Sequence, residues 1–135
     1  MRVVRVRLRN FRSHEETEVP FDVGVNAIIG RNGAGKTSLL EGIAYALFPE
    51  LFRGFMEDLR RRGAGFLEVE LEFEQAGRVY KVWRRRDRSG PQARLMVKSD
   101  DGWRLLQTSQ RDVSRELARI LGTGPETFVT AMYVR

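Results

Sequence analysis

The sequence predicts an α/β chain, with a mixed sheet around one glycine-loop helix and an additional antiparallel sheet beside it. Three observations predict this. A short apolar run at 26–29 (NAII) ends in Gly30 and opens a glycine-rich loop, and a helical pattern follows at 36–48. Two strand patterns, at 2–11 and 16–21, come before the loop. Two hairpin patterns, over 66–88 and 93–106, come after the helix.

Each element has a local reason. In 2–11, Val4, Val6 and Leu8 alternate with Arg5, Arg7 and Arg9, which is the period of a half-buried strand. Residues 16–21, closed by Asp22 and Gly24, suit its hairpin-like partner. In 36–48, Leu39, Leu40, Ile43 and Leu47 recur at helical spacing, and Pro49 stops the helix. Residues 51–62 read either as a short helix or as a loop. In 66–75, Leu67, Val69, Leu71 and Phe73 make one face and Glu68, Glu70, Glu72 and Glu74 the other. With Ala76-Gly77 as a two-residue turn, Phe73 faces Tyr80, Leu71 faces Val82, Glu72 faces Lys81 and Glu68 faces Arg85. A further hairpin joins 93–98 to 103–106 around Asp100-Asp101-Gly102. Residues 109–121 form a helix capped by Ser109, with Val113, Leu117, Ile120 and Leu121 buried and Gly122 past its end. Residues 126–132 suit one more helical turn, and 133–135 begin something extended.

Composition narrows the function classes. The chain has 135 residues, room for one domain, and a formal net charge of +6. Of the 24 basic residues, 21 are Arg. There is no Cys and one His, His14, so a disulfide scaffold and a Cys or multi-His metal site are excluded. No apolar run approaches the ~20 residues of a membrane span, and no signal-peptide pattern opens the chain, which points to a soluble cytoplasmic protein.

Chemistry concentrates in Gly30-Arg31-Asn32-Gly33-Ala34-Gly35-Lys36-Thr37, which fits G-x-x-x-x-G-K-[ST]. Such a loop curls its backbone N–H groups toward phosphates, and glycines permit the positive φ and close approach this needs. Lys36 can reach the β- and γ-phosphates, and the Thr37 hydroxyl can ligate Mg²⁺. The helix aims its positive end at the same anion. A chance match in a chain of this composition is expected roughly 0.002 times. No Walker B strand accompanies it. The nearest run, 95–101, is broken by Lys98 and Ser99, and a hairpin explains Asp100-Asp101 better. No LSGG-type signature occurs either.

Strands before the loop and antiparallel hairpins after the helix are the wrong order for a small nucleotide kinase. They suit the lobe of an ABC-type ATPase. Asn10-Phe11-Arg12-Ser13-His14, then Phe21, Gly24 and Asn26, then the loop with Ser38-Leu39-Leu40-Glu41 and Ala46-Leu47-Phe48, resemble the start of SbcC-type double-strand-break repair ATPases, the Rad-fifty proteins of archaea and eukaryotes. Residues 131–135 (AMYVR) resemble the segment just before that family's Q-loop glutamine. The resemblance implies that residues 1–135 are one N-terminal lobe of a split, P-loop ABC-type head. The C-terminal lobe, beyond a coiled coil, carries the signature and Walker B motifs. It implies ATP and Mg²⁺ as ligands, and an ATP hydrolase once the C-terminal lobe completes it, this chain alone being inactive. Implied partners are that C-terminal lobe, a second head joined through ATP, an SbcD-type nuclease and double-stranded DNA, with no membrane. The location is cytoplasmic, nucleoid-associated in a prokaryote. Arg12 and Ser13 are implied beside the nucleotide, with Asn32, Gly33, Ala34, Gly35, Lys36, Thr37 and Ser38 around the phosphates, Lys36 as the catalytic residue and Thr37 as the metal ligand. Other readings are the lobe of a RecF- or SMC-type protein, a small P-loop kinase, or a basic DNA-binding module without catalysis. The runs Arg60-Arg61-Arg62 and Arg84-Arg85-Arg86 are either phosphate contacts or a solvated face with Arg85 partly paired to Glu68.

Overall fold

A computed structural model describes residues 1–24 and 34–128, with the side chains of 22–24 and 34–36 outside the description. Six strands are described: β1 (Arg2–Phe11), β2 (His14–Gly24), β3 (Phe66–Gln75), β4 (Arg78–Asp87), β5 (Gly90–Ser99) and β6 (Gly102–Gln107). They form one antiparallel sheet in the order β2-β1-β3-β4-β5-β6. The expected strand at 26–29 lies outside the described residues, as do residues 129–135. Helix α1 (Ala34–Leu47) covers one face, and α2 (Met56–Leu59) and α3 (Gln110–Leu121) follow.

The β3–β4 hairpin has the register expected of it, Phe73 opposite Tyr80, Leu71 opposite Val82, Glu72 opposite Lys81 and Glu68 opposite Arg85. Its turn has Ala76 at φ 53° and Gly77 at φ 77°, the positive pair that matches the twist of a two-residue hairpin. The β1–β3 pairing joins the first hairpin to the later strands. It sets Arg5, Arg7 and Arg9 opposite Glu72, Glu70 and Glu68. Arg5 bonds Glu72 at 2.6 Å and also reaches Glu70, and Arg9 meets Glu68 at 3.2 Å. The basic face of β1 and the acidic face of β3 therefore neutralise each other.

One alternation differs from its expectation. Val3 is buried where the pattern pointed to Val4, because the register shifts between Val3 and Arg5. That irregularity moves one residue of β1 to the other face while Val6 and Leu8 stay inside.

The core fills the space between the sheet and α1. Leu39, Leu40, Ile43, Ala44 and Leu47 pack with Val6, Leu8, Leu71, Phe73 and Val82. The helix sits close to β1. A Cβ on Gly42 would lie 2.6 Å from Leu8 Cδ2, so only glycine fits without repacking. Segment 49–62 is both helix and loop: a 3₁₀ turn (Pro49–Phe52) and the single-turn α2, tied to the end of β1. Arg12 N–H donates to Leu59 O at 2.6 Å, and Arg61 N–H to Asn10 O at 2.8 Å. Helix α3 starts as expected, with Ser109 Oγ accepting from Asp112 N at 3.0 Å, and Gly122 ends it at φ 71°. Residues 125–128 are helical.

Candidate nucleotide-binding site

Helix α1 begins at Ala34, so its first backbone N–H groups have no acceptor within the helix. No acidic residue stands in that first turn to offset the positive end of the helix. This is the polarity an anion requires. Of the expected contact residues, Asn32 and Gly33 lie outside the described residues. Ala34, Gly35 and Lys36 are described as the backbone of the first turn. Thr37 is exposed and Ser38 half-buried on the next positions. A hydroxyl at Thr37 fits Mg²⁺ held mainly by phosphate oxygens and water, as this ion prefers. Among the described residues no group of three or more His, Cys, Asp or Glu could hold a metal by itself.

Arg12 reaches α1 from the other side. The end of β1 is bent by two left-handed residues, Asn10 at φ 53° and Arg12 at φ 54°. The bend directs the Arg12 side chain across to the helix. Its Nε donates to Glu41 Oε1 at 3.0 Å, its Nη2 to Glu41 Oε2 at 2.7 Å, and its Nη1 to Asp58 O at 3.0 Å. The hydrogen bonds Arg12 donates to Glu41 raise the guanidinium pKa above its ordinary value, against a smaller opposing effect of burial. Glu41 stands four residues after Thr37, on the same face of α1 and one turn along. Ser13 is exposed in the β1–β2 turn, and with Arg12, Arg60, Arg62 and Gly63 it lines a groove of about 840 Å³. The structure thus brings Arg12 to the flank of the glycine-loop helix, with Ser13 beside it in the groove. His14 is locally bonded, with Nδ1 2.8 Å from Thr17 Oγ1.

The first arginine run matches the solvated-face reading, and the second departs from it at Arg84. Arg60 pairs with Glu57 at 2.5 Å and Arg61 with Glu15 at 3.7 Å. Arg84 is wholly buried. It sits inward with Tyr80 and Val82 and donates to Ala46 O at 2.6 Å, Gln110 Oε1 at 2.9 Å and Ser114 Oγ at 3.1 Å. Arg85, on the opposite face, lies 4.1 Å over the Phe66 ring and turns to Asp87 at 3.4 Å. Its expected partner Glu68 is taken by Arg9 and by Trp83 Nε1 at 2.9 Å. The 84–86 run is therefore not one patch. Two residues that anchor α1, only one of them at the candidate site, were not singled out from sequence. Glu41 holds Arg12, and Arg84 caps the far end of α1. The spacing of Glu41 from Thr37 was a readable signal, whereas Arg84 had none beyond its place in the β4 alternation.

Comparison with known proteins follows this geometry. Residues 5–128 match the family described as AAA domain. The chain is 35% identical over 136 residues to the DNA double-strand break repair Rad50 ATPase of Thermoplasma volcanium, covering 100% of this chain and 15% of that protein. It is 41% identical over 138 residues to the protein of the same name from Methanopyrus kandleri, covering 98% of this chain and 16% of that one. The chain thus spans about one-sixth of the length of these relatives. The SMC head domain from Thermotoga maritima shares the fold, with a TM-score of 0.54 at 22% identity over 86% of this chain and 42% of that one. The chain belongs to the AAA domain family.

Proposed function

We propose that the chain is the ATP-binding half of an ABC/SMC-like ATPase that acts in DNA double-strand-break repair. The observation that carries this reading is the G-x-x-x-x-G-K-T loop running into a helix whose first turn holds no acid, with Arg12 fastened to the same helix. The relatives named as Rad50 ATPases support it. In this reading the amides of Asn32, Gly33, Ala34 and Gly35 cradle the phosphates. Lys36 meets the β- and γ-phosphates and offsets charge that builds during transfer, and Ser38 lies beside them. Arg12 and Ser13 approach from the β1–β2 turn. The Thr37 hydroxyl is the chain's ligand for Mg²⁺, which when bound neutralises and orients the phosphates.

The attacking water needs a carboxylate to orient it, and the only candidate run, Asp100-Asp101, closes the β5–β6 hairpin instead. A C-terminal lobe is proposed to supply that carboxylate and the signature motif. ATP between two heads would then hold them together until hydrolysis. Control of DNA tethering and of an SbcD-type nuclease in the cytoplasm completes the reading. Among the described residues no helix is long and apolar enough to cross a membrane. The test mixes the chain with the C-terminal lobe and measures ATP-dependent association and hydrolysis. Both are expected only in the mixture and both are expected to vanish with Lys36→Ala. Robust turnover by the 135-residue chain alone, lost on Lys36→Ala, would overturn the split-lobe reading.

A further inference from the structure

The donor count at Arg12 carries one step more, and it rests on the reading of Arg12 as a phosphate contact. A guanidinium has five N–H groups. Glu41 takes the one on Nε and one on Nη2, and Asp58 O takes one on Nη1. Each terminal nitrogen keeps one N–H. The Arg12 side chain is 32% exposed, and the residue lines the groove beside Ser13, so these two donors are not sealed in the core. Glu41 is more buried, at 19%, and it rides on the helix that carries Thr37. The carboxylate therefore grips the guanidinium from the side and leaves enough donors for two hydrogen bonds to an anion. A lysine could not serve in this way. It has no planar fork to be held at one edge and used at another.

We infer that Glu41 is a positioning residue for the nucleotide: it fixes the Arg12 guanidinium to the glycine-loop helix so that the two remaining N–H groups meet a phosphate. The pair is also electrically balanced. Arg12 screens the Glu41 charge, which otherwise stands about one helical turn from Thr37 and repels phosphate. This gives the inference an unusual signature. Removing the Glu41 charge harms binding while Arg12 is present and helps it when Arg12 is absent. A carboxylate that only stabilised the fold would act with one sign in both backgrounds.

The experiment titrates the complete gene product with a fluorescent ATP analogue and Mg²⁺, for the wild type, E41Q, R12A, R12A/E41Q and K36A, with thermal unfolding of each as a control for folding. E41Q is expected to weaken binding about tenfold, the scale of losing an oriented charge-assisted bond, and R12A at least as much. R12A/E41Q is expected to bind more tightly than R12A. E41D keeps the charge but is one methylene short of the two-point grip, and it is expected to fall between wild type and E41Q; it also serves if E41Q unfolds. Weaker binding on E41Q by the same factor in both backgrounds overturns the inference, as does tighter or unchanged binding in the wild-type background. Failure of the underlying reading looks different. There, K36A and R12A leave binding unchanged.

Discussion

Arg84 offers the sharpest test of how the core is built, because its charge and its acceptors can be removed separately. Burial pushes its guanidinium down from the ordinary arginine value to about 10, so it stays charged at neutral pH. That depression corresponds to about 3 kcal/mol against the charged form, at 1.36 kcal/mol per pH unit. It persists although three acceptors face the group, on Ala46, Gln110 and Ser114. Replacing Gln110 and Ser114 together by Ala leaves the charge buried with the Ala46 carbonyl as its one remaining hydrogen-bond acceptor. Stranding a buried charge costs about 3–5 kcal/mol. Arg84→Met removes the charge and roughly keeps the volume. The half-buried Gln110 and Ser114 can turn to water, and one group, the Ala46 carbonyl, is orphaned at about 1–3 kcal/mol. The variant that keeps the arginine is therefore expected to be the less stable, by about 2 kcal/mol. Urea titration by far-UV circular dichroism reads this as a midpoint lower by about 1 M, for a slope near 2 kcal/mol/M. The reasoning is refuted if Arg84→Met has the lower midpoint, or if the two coincide.

Two further outcomes follow from the same coordinates. Between about pH 10 and the ordinary arginine value the unfolded chain holds a proton on Arg84 that the folded chain has released, so stability from this residue rises with pH in that window. The wild type should gain on Arg84→Met by up to about 3 kcal/mol between pH 9 and pH 12, measured as the change in their midpoint difference. Gly42→Ala adds about 1 kcal/mol of helix propensity but forces a methyl to within 2.6 Å of Leu8 Cδ2 in a sealed core. Overpacking at about 1–3 kcal/mol outweighs the gain, so the urea midpoint should fall, and shortening Leu8 to Val should restore part of it.

What could be read from sequence follows the range of the interaction that specifies it. The β3–β4 register was legible because Ala76-Gly77 fixes the loop length, and Phe73–Tyr80 and Glu72–Lys81 then agree on both faces. The α3 caps were legible because Ser109, Asp112 and Gly122 act within one turn of the chain. The choice of β3 as the second partner of β1 was not, since any alternating acidic strand satisfies Arg5, Arg7 and Arg9 equally well locally. Alternation puts Arg84 and Arg86 on the face opposite Arg85, but the burial of Arg84 was not legible, because its acceptors on Ala46, Gln110 and Ser114 are distant in sequence. At the candidate site the loop motif was legible as chemistry. The grip of Glu41 on Arg12 was not, since it needs the bend at Asn10 and Arg12, which no local rule requires.

The net charge of +6 reads differently once the pairs are placed. Through the middle of the sheet, Arg5, Arg7, Arg9 and Lys81 are matched by Glu16, Glu18, Glu68, Glu70 and Glu72, so that region presents little field to a distant polyanion. Arg12 is spoken for by Glu41 and Arg84 by the core. Among the described residues, several cations without an acidic partner fall toward the sheet's ends, while Arg94 in the middle of β5 lies over the Trp83 ring, and Arg53 and Arg111 lie off the sheet. Arg78, Lys98 and Arg104 stand near one end, where β4 begins, β5 finishes and β6 begins. Arg86 and Arg88 stand at the other, with Arg62 in the segment before β3. Any affinity for double-stranded DNA has to be drawn from these ends and from Arg53, Arg94 and Arg111, because an arginine already neutralised at 2.6 Å releases no counterion when it meets a phosphate.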